Sequence, residues 1–137
     1  MVQKEILEKI KSPQFSVFVI WVPVMGADSY QSAQQARAIF PDERVKHWWD
    51  QPLALGQGYR KILPLAADCK LAWDVYLLYQ RGRQRFRYAL DSAGKKGWNP
   101  PAPDLWMHQL SCMTKENYFD AKILRETVEK TLQSAKL

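Results

Sequence analysis

Cysteine is scarce in this chain. Only Cys69 and Cys112 occur, 43 residues apart, with no Cys-x-x-Cys pair and no ladder of cysteine and histidine, which excludes a disulfide scaffold or a zinc finger. Two thiols in a reducing compartment are expected to behave as small buried hydrophobes. The alternative is one reactive thiolate, with Lys70 or Lys115 as its cationic neighbour. No apolar run approaches the ~18–20 residues that span a bilayer; the longest, around residues 17–22, follows Ser16 and is closed by Pro23. A membrane span is therefore not expected. The start, Met1-Val2-Gln3-Lys4-Glu5, carries an acid inside a helical pattern, so neither a secretory signal nor a transit peptide is read there and the expected address is the cytoplasm. Gly56-Gln57-Gly58 followed by Lys61 lacks the spacing of a P-loop or a dinucleotide fingerprint. No cofactor is implied.

What is present is an ordinary globular balance. With 137 residues, 47% apolar and 25% charged, the chain has room for one domain, expected over residues 1–137, and is not disordered as a whole. Twenty Lys+Arg against fourteen Asp+Glu give +6.

Helical and extended patterns alternate along the first half. Val2, Ile6, Leu7 and Ile10 predict a helix over residues 2–11, ended by Ser12-Pro13. Residues 15–22 form a near-continuous β-branched and aromatic run, the pattern of a strand buried on both faces. Asp28 is the expected N-cap of a helix carrying Ala33, Ala36, Ile39 and Phe40 and stopping at Pro41. Residues 44–49 read as a short strand, and Pro52 as the first residue of a poor helix interrupted by Gly56 and Gly58. Residues 71–79 read as a central strand, with Arg83 to Tyr88 returning as its antiparallel partner after a turn at 80–83. Residues 91–104, rich in Gly and Pro, read as a surface loop. Residues 106–110 read as a strand, and Asn117 as the cap of a last helix with Phe119, Ile123, Leu124, Val128 and Leu132 on its apolar stripe. This order predicts an α/β sandwich with a mixed sheet flanked by helices.

The segments Phe18-Val19-Ile20-Trp21-Val22-Pro23, His47-Trp48-Trp49-Asp50, Ala72-Trp73-Asp74-Val75-Tyr76-Leu77-Leu78-Tyr79 and Trp106-Met107-His108-Gln109-Leu110, in this order and spacing, resemble a little-characterised group of bacterial thioredoxin-like proteins. The resemblance spans most of residues 2–135 and implies a thioredoxin-like fold. In that group a strand and a Cys-x-x-Cys segment precede the first helix, whereas this chain begins at that helix. Ala72-Trp73 also stands where the group's cis-proline is expected. The resemblance thus implies a fold without its redox dithiol. A missing first strand leaves 15–22 and 71–79 either to pair directly or to be covered by a second copy, and a homodimer is the expectation.

Several constellations are candidate sites. Trp49, Asp50, Trp73, Asp74, Trp106 and His108 fall at strand ends, where ligands bind in α/β folds, and are read as the site of a module for a small ligand or a protein: indoles for apolar walls, Asp74 and His108 for directed hydrogen bonds. Asp74, a carboxylate within an apolar run, requires a partner or a solvent-facing strand end. His47, Asp50, Asp74 and His108 hold the groups of a mononuclear metal or acid–base site, but the spacing gives no local support and structural hydrogen bonding is the expectation, with no metal. An alternative is a single-cysteine thiol oxidoreductase using Cys69 or Cys112. Another is a basic nucleic-acid module through Arg81, Arg83, Arg85 and Arg87, with Phe86 and Tyr88 to stack bases.

Overall fold

The computed structural model describes residues 1–82, 87–90 and 96–135, the stretches 87–90 and 96–99 as backbone alone. The protein is mixed α/β, and its described strands form three two-stranded sheets. The chain divides into two compact units, Met1–Pro52 with Asp120–Leu137, and Leu53–Phe119.

In the first unit the N-terminal helical pattern yields a π-helical segment, Gln3–Leu7, shorter than residues 2–11, that buries Ile6 and Leu7. β1 (Val17–Trp21) and β2 (Val45–Trp49) run parallel, from Val17 opposite Val45 to Trp21 opposite Trp49. Parallel strands need a crossover, supplied here by α1 (Tyr30–Ala36) and a 3-10 turn, Arg37–Ile39. The N-cap of α1 is Ser29, not Asp28: Ser29 and Ser32 exchange backbone N–H to hydroxyl bonds of 3.1 and 2.9 Å. Asp28 instead accepts from the N–H groups of Val24 and Met25. Residues 15–22 are not a doubly buried central strand, because β2 is the sole strand partner of β1 among the described residues. The pleat puts Phe18, Ile20, Lys46 and Trp48 on one face and Val19, Trp21, His47 and Trp49 on the other. α3 (Ala121–Ser134) is capped by Asp120, whose carboxylate accepts from the N–H groups of Lys122 and Ile123, rather than by Asn117. It buries Val128, and Arg125 ties it to Glu5 at 3.4 Å.

In the second unit α2 (Ala54–Ile62) starts after Leu53, whose left-handed backbone (φ 57°) turns the chain there, so Pro52 is not its first residue. β3 (Val75–Leu78) is shorter than 71–79, because Asp74 is also left-handed (φ 53°) and ends the extended run. Its antiparallel partner is β6 (Leu105–His108), with Val75 opposite His108. β1 takes β2 and β3 takes β6, in place of each other. The expected return of Arg83 to Tyr88 along β3 is also corrected: β4 (Arg87–Leu90) pairs with β5 (Lys96–Asn99). Asp104 holds the end of β3 for β6, its N–H donating to Leu78 O at 2.8 Å and its carboxylate accepting from Gln80 N–H at 2.6 Å. The prolines of 91–104 begin only at Pro100, so 96–99 keeps the donors a ladder needs and is a strand rather than loop. Arg83, Arg85 and Phe86, and residues 91–95, lie outside the described residues.

The core of this unit is Leu63, Leu65, Cys69, Ala72 and Leu110, with Tyr59, Trp73, Val75, Leu77, Trp106 and Cys112 packed against it. Cys69 and Cys112 are joined in a disulfide, Cα atoms 5.4 Å apart. This corrects the expectation of two free thiols. The antiparallel pairing of β3 with β6 closes the 43-residue gap, and no local spacing announces such a contact. No helix among the described residues is long and apolar enough to cross a membrane.

Candidate functional site

The second unit brings Asp74, Trp106 and His108 together at one end of the β3–β6 pair. Alternation along β6 puts Trp106 and His108 on the same face, and their rings stack at 5.8 Å. His108 is fully buried. Its Nδ1 accepts from Leu110 N–H at 3.1 Å, and Nε2 lies 2.8 Å from Glu116 O. Because Nδ1 is an acceptor and Glu116 O has no proton to give, the ring is the Nε2–H tautomer. Both nitrogens are therefore spent on backbone, and His108 acts as a strut between β6 and the segment after it rather than as an acid, base or metal ligand.

Asp74 sits at the exposed start of β3. Its carbonyl accepts from Gln109 N–H at 3.0 Å. Partial burial pushes its carboxyl pKa up. Asparagine and aspartate are the non-glycine residues best suited to a left-handed backbone, so this acid serves the chain's turn into β3. Next to it, Tyr76 donates to Gln109 Oε1 at 2.5 Å; burial, then the Asp74 charge and Tyr118, push the phenol up to about 12. Lys115 lies 4.0 Å over the ring of the exposed Tyr118. Trp73 and Trp106 are half-buried and pack against the core cluster.

Trp49 and Asp50 belong to the first unit. The Trp49 indole donates to Gln51 Oε1 at 2.9 Å and meets Tyr30 edge-on. Asp50 is buried, its N–H donating to Trp21 O at 2.9 Å. His47 accepts the indole proton of Trp21 on Nδ1 at 3.2 Å. Burial, then the Arg37 charge, lower its pKa, against a backbone hydrogen bond to Phe40 that raises it. Among the described residues no group of three or more His, Cys, Asp or Glu is arranged to hold a metal ion. Of the four arginines, Arg81 is exposed and Arg87 is described through its backbone, which pairs with Asn99.

One apolar face lies outside the residues that the sequence singles out as a site. Phe18 and Trp48 stand 62% and 60% exposed on the same face of β1–β2. The signal was the alternation of Val45-Lys46-His47-Trp48-Trp49, which puts Trp48 on the side of Lys46 and away from Val45 and His47. The chain matches no family model, and neither a curated protein nor a solved structure is significantly similar to it.

Proposed function

We propose that this chain is a non-catalytic, thioredoxin-like binding module whose partner is a second copy of itself, engaged through the open face of β1–β2. The observation that carries this reading is the exposure of Phe18 and Trp48 on one face. Ile20 adds to it, and Lys46 is the sole charge among the four residues. Parallel strands in α/β proteins are covered on both faces, and a face this apolar marks an interaction site. An identical face is a fitting cover, since a two-fold contact sets the same aromatic patch against itself. The outer edges of β1 and β2, unpaired among the described residues, favour association as well. The two imidazoles, each hydrogen-bonded within its own unit, argue against acid–base catalysis.

The test is sedimentation velocity of the full chain across the micromolar range, beside Phe18→Ser with Trp48→Ser. A concentration-dependent dimer that the double variant loses, with unchanged far-UV circular dichroism, is expected. A chain that stays monomeric at every concentration overturns the reading.

A further inference from the structure

The two sulfurs of the Cys69–Cys112 bond occupy unlike places. Cys69 lies in the turn after α2, its N–H donating to Ala66 O at 3.0 Å. It is 1% exposed and belongs to the buried cluster with Leu63, Leu65, Ala72 and Leu110. Cys112 lies two residues past Leu110, in a turn where Met113 N–H donates to Leu110 O at 3.3 Å. It is half-buried, with exposed Ser111 on one side and the exposed run 114–118 beyond Met113. Cys69 is inside the core, whereas Cys112 packs against its edge and is partly exposed.

Thiol–disulfide exchange proceeds by attack of a thiolate on one sulfur and departure of the other, so access decides which sulfur is attacked. Of the two residues, Cys112 is the more exposed. We propose that the Cys69–Cys112 bond is a thiol–disulfide exchange site, entered at Cys112 by a thiol-bearing reductant. The incoming thiolate forms a bond to Cys112 Sγ, the bond between Cys112 Sγ and Cys69 Sγ breaks, and Cys69 leaves with the electron pair and takes up one proton. A second thiol of the reductant, giving up its proton, then attacks its own sulfur in the mixed disulfide, which releases Cys112 as a thiolate that takes up the second proton. The net change is two electrons and two protons to the cysteine pair, with the reductant oxidised to a disulfide. The released Cys69 thiol remains among Leu63, Leu65 and Leu110, where a free cysteine packs as a small hydrophobe. The core thus accommodates both oxidation states.

The experiment uses the full oxidised chain and reduced glutathione as the probe, in native buffer, with acid quench, alkylation and mass-spectrometric mapping of both cysteines. Glutathione on Cys112, with Cys69 as the released thiol that alkylates only after denaturation, is expected. Two variants keep the assignment independent of the parent's folding. In Cys69→Ser, Cys112 should take glutathione from its oxidised form; in Cys112→Ser, Cys69 should stay unreactive until the chain is unfolded. The dithiothreitol-reduced chain should keep its far-UV circular dichroism. An adduct on Cys69, a bond that yields only where the chain unfolds, or a reduced chain that loses its fold would each make the disulfide a structural staple and overturn the proposal.

Discussion

The indole N–H of Trp21 on β1 donates to Nδ1 of His47 on β2 at 3.2 Å, with the two rings within 5° of parallel and 6.2 Å apart. That bond exists only while Nδ1 is unprotonated. Since the folded state holds the His47 pKa below its ordinary 6.5, the unfolded chain binds the proton first as pH falls. Stability is then full above about 6.5, declines as pH drops below it, and levels off once the folded pKa is passed. Urea midpoints across this range should slope for the parent chain and lose that part of the slope in His47→Gln. Trp21→Phe, which removes the donor alone, should cost about 1 kcal/mol at neutral pH.

Arg44 clasps the N-terminal segment to the start of β2. Its guanidinium donates to Leu7 O at 2.7 Å and to Ile10 O, and forks onto both carboxylate oxygens of Asp42 at 2.9 and 2.6 Å. The Arg44 bonds pull the Asp42 pKa down to about 2. A lowered carboxyl pKa contributes stability that is present above the unfolded value of 3.8 and is lost as pH falls through about 2. Acid unfolding of Asp42→Asn should therefore show a shallower pH dependence in that window. Arg44→Lys keeps the charge but not the fork, and should cost about 2 kcal/mol in chemical denaturation.

Gly56 is a glycine for reasons of space. A Cβ there would lie 2.7 Å from Leu71 Cδ1 and 3.0 Å from Ala72 O, and Ala72 N–H donates to Gly56 O at 3.2 Å. Alanine favours the helix by about 1 kcal/mol, yet the clash should win. Gly56→Ala is expected to lower stability by about 1–2 kcal/mol. Combining it with Leu71→Ala should recover part of the loss, a coupling that a double-mutant cycle reads directly.

His108 is expected to be the most sensitive polar position of its unit. His108→Ala strips partners from Leu110 N–H and Glu116 O and leaves a cavity beneath Trp106, at a cost of about 3–4 kcal/mol. Thermal unfolding by circular dichroism measures this. A variant within 1 kcal/mol of the parent would contradict the strut role.

Asp74 should behave in the opposite sense. Its folded pKa lies above the ordinary 3.8, so the stability linked to it is greatest below 3.8 and is lost as pH rises through the folded value. Asp74→Asn keeps a residue that tolerates the left-handed backbone and removes the partly desolvated charge. Discounted for solvent screening, it should gain up to about 0.5 kcal/mol at pH 7. Asp74→Ala, which meets the same backbone without that tolerance, should lose about 1 kcal/mol. Paired denaturation curves at neutral pH separate the two.

Much of the element order was legible in the residues. β1, β2 and β3 fall inside the runs that announce them, and β6 overlaps the run 106–110 but starts one residue earlier, because β-branched and aromatic side chains favour a pleated surface locally. The caps of α1 and α3, Ser29 and Asp120, lie one and three residues beyond Asp28 and Asn117, since each of these residue types is a good cap and the sequence does not choose between neighbours. The candidate site was legible as residue types and not as roles. Trp73, Trp106 and His108 stand out in the sequence as residue types, but whether an indole walls a pocket or fills a core depends on what lies across from it.

By itself the sequence determined the mixed α/β class, the extended character of 17–21, 45–49 and 75–78, and the turn-forming acids and prolines between them. These are properties of side-chain shape and backbone preference within a few residues. Tertiary structure alone decided that β3 pairs with β6 and β4 with β5, and that Cys69 meets Cys112 across 43 residues. Pairing of strands and of cysteines distant in the chain is set by which surfaces bury one another best, a choice no local window contains.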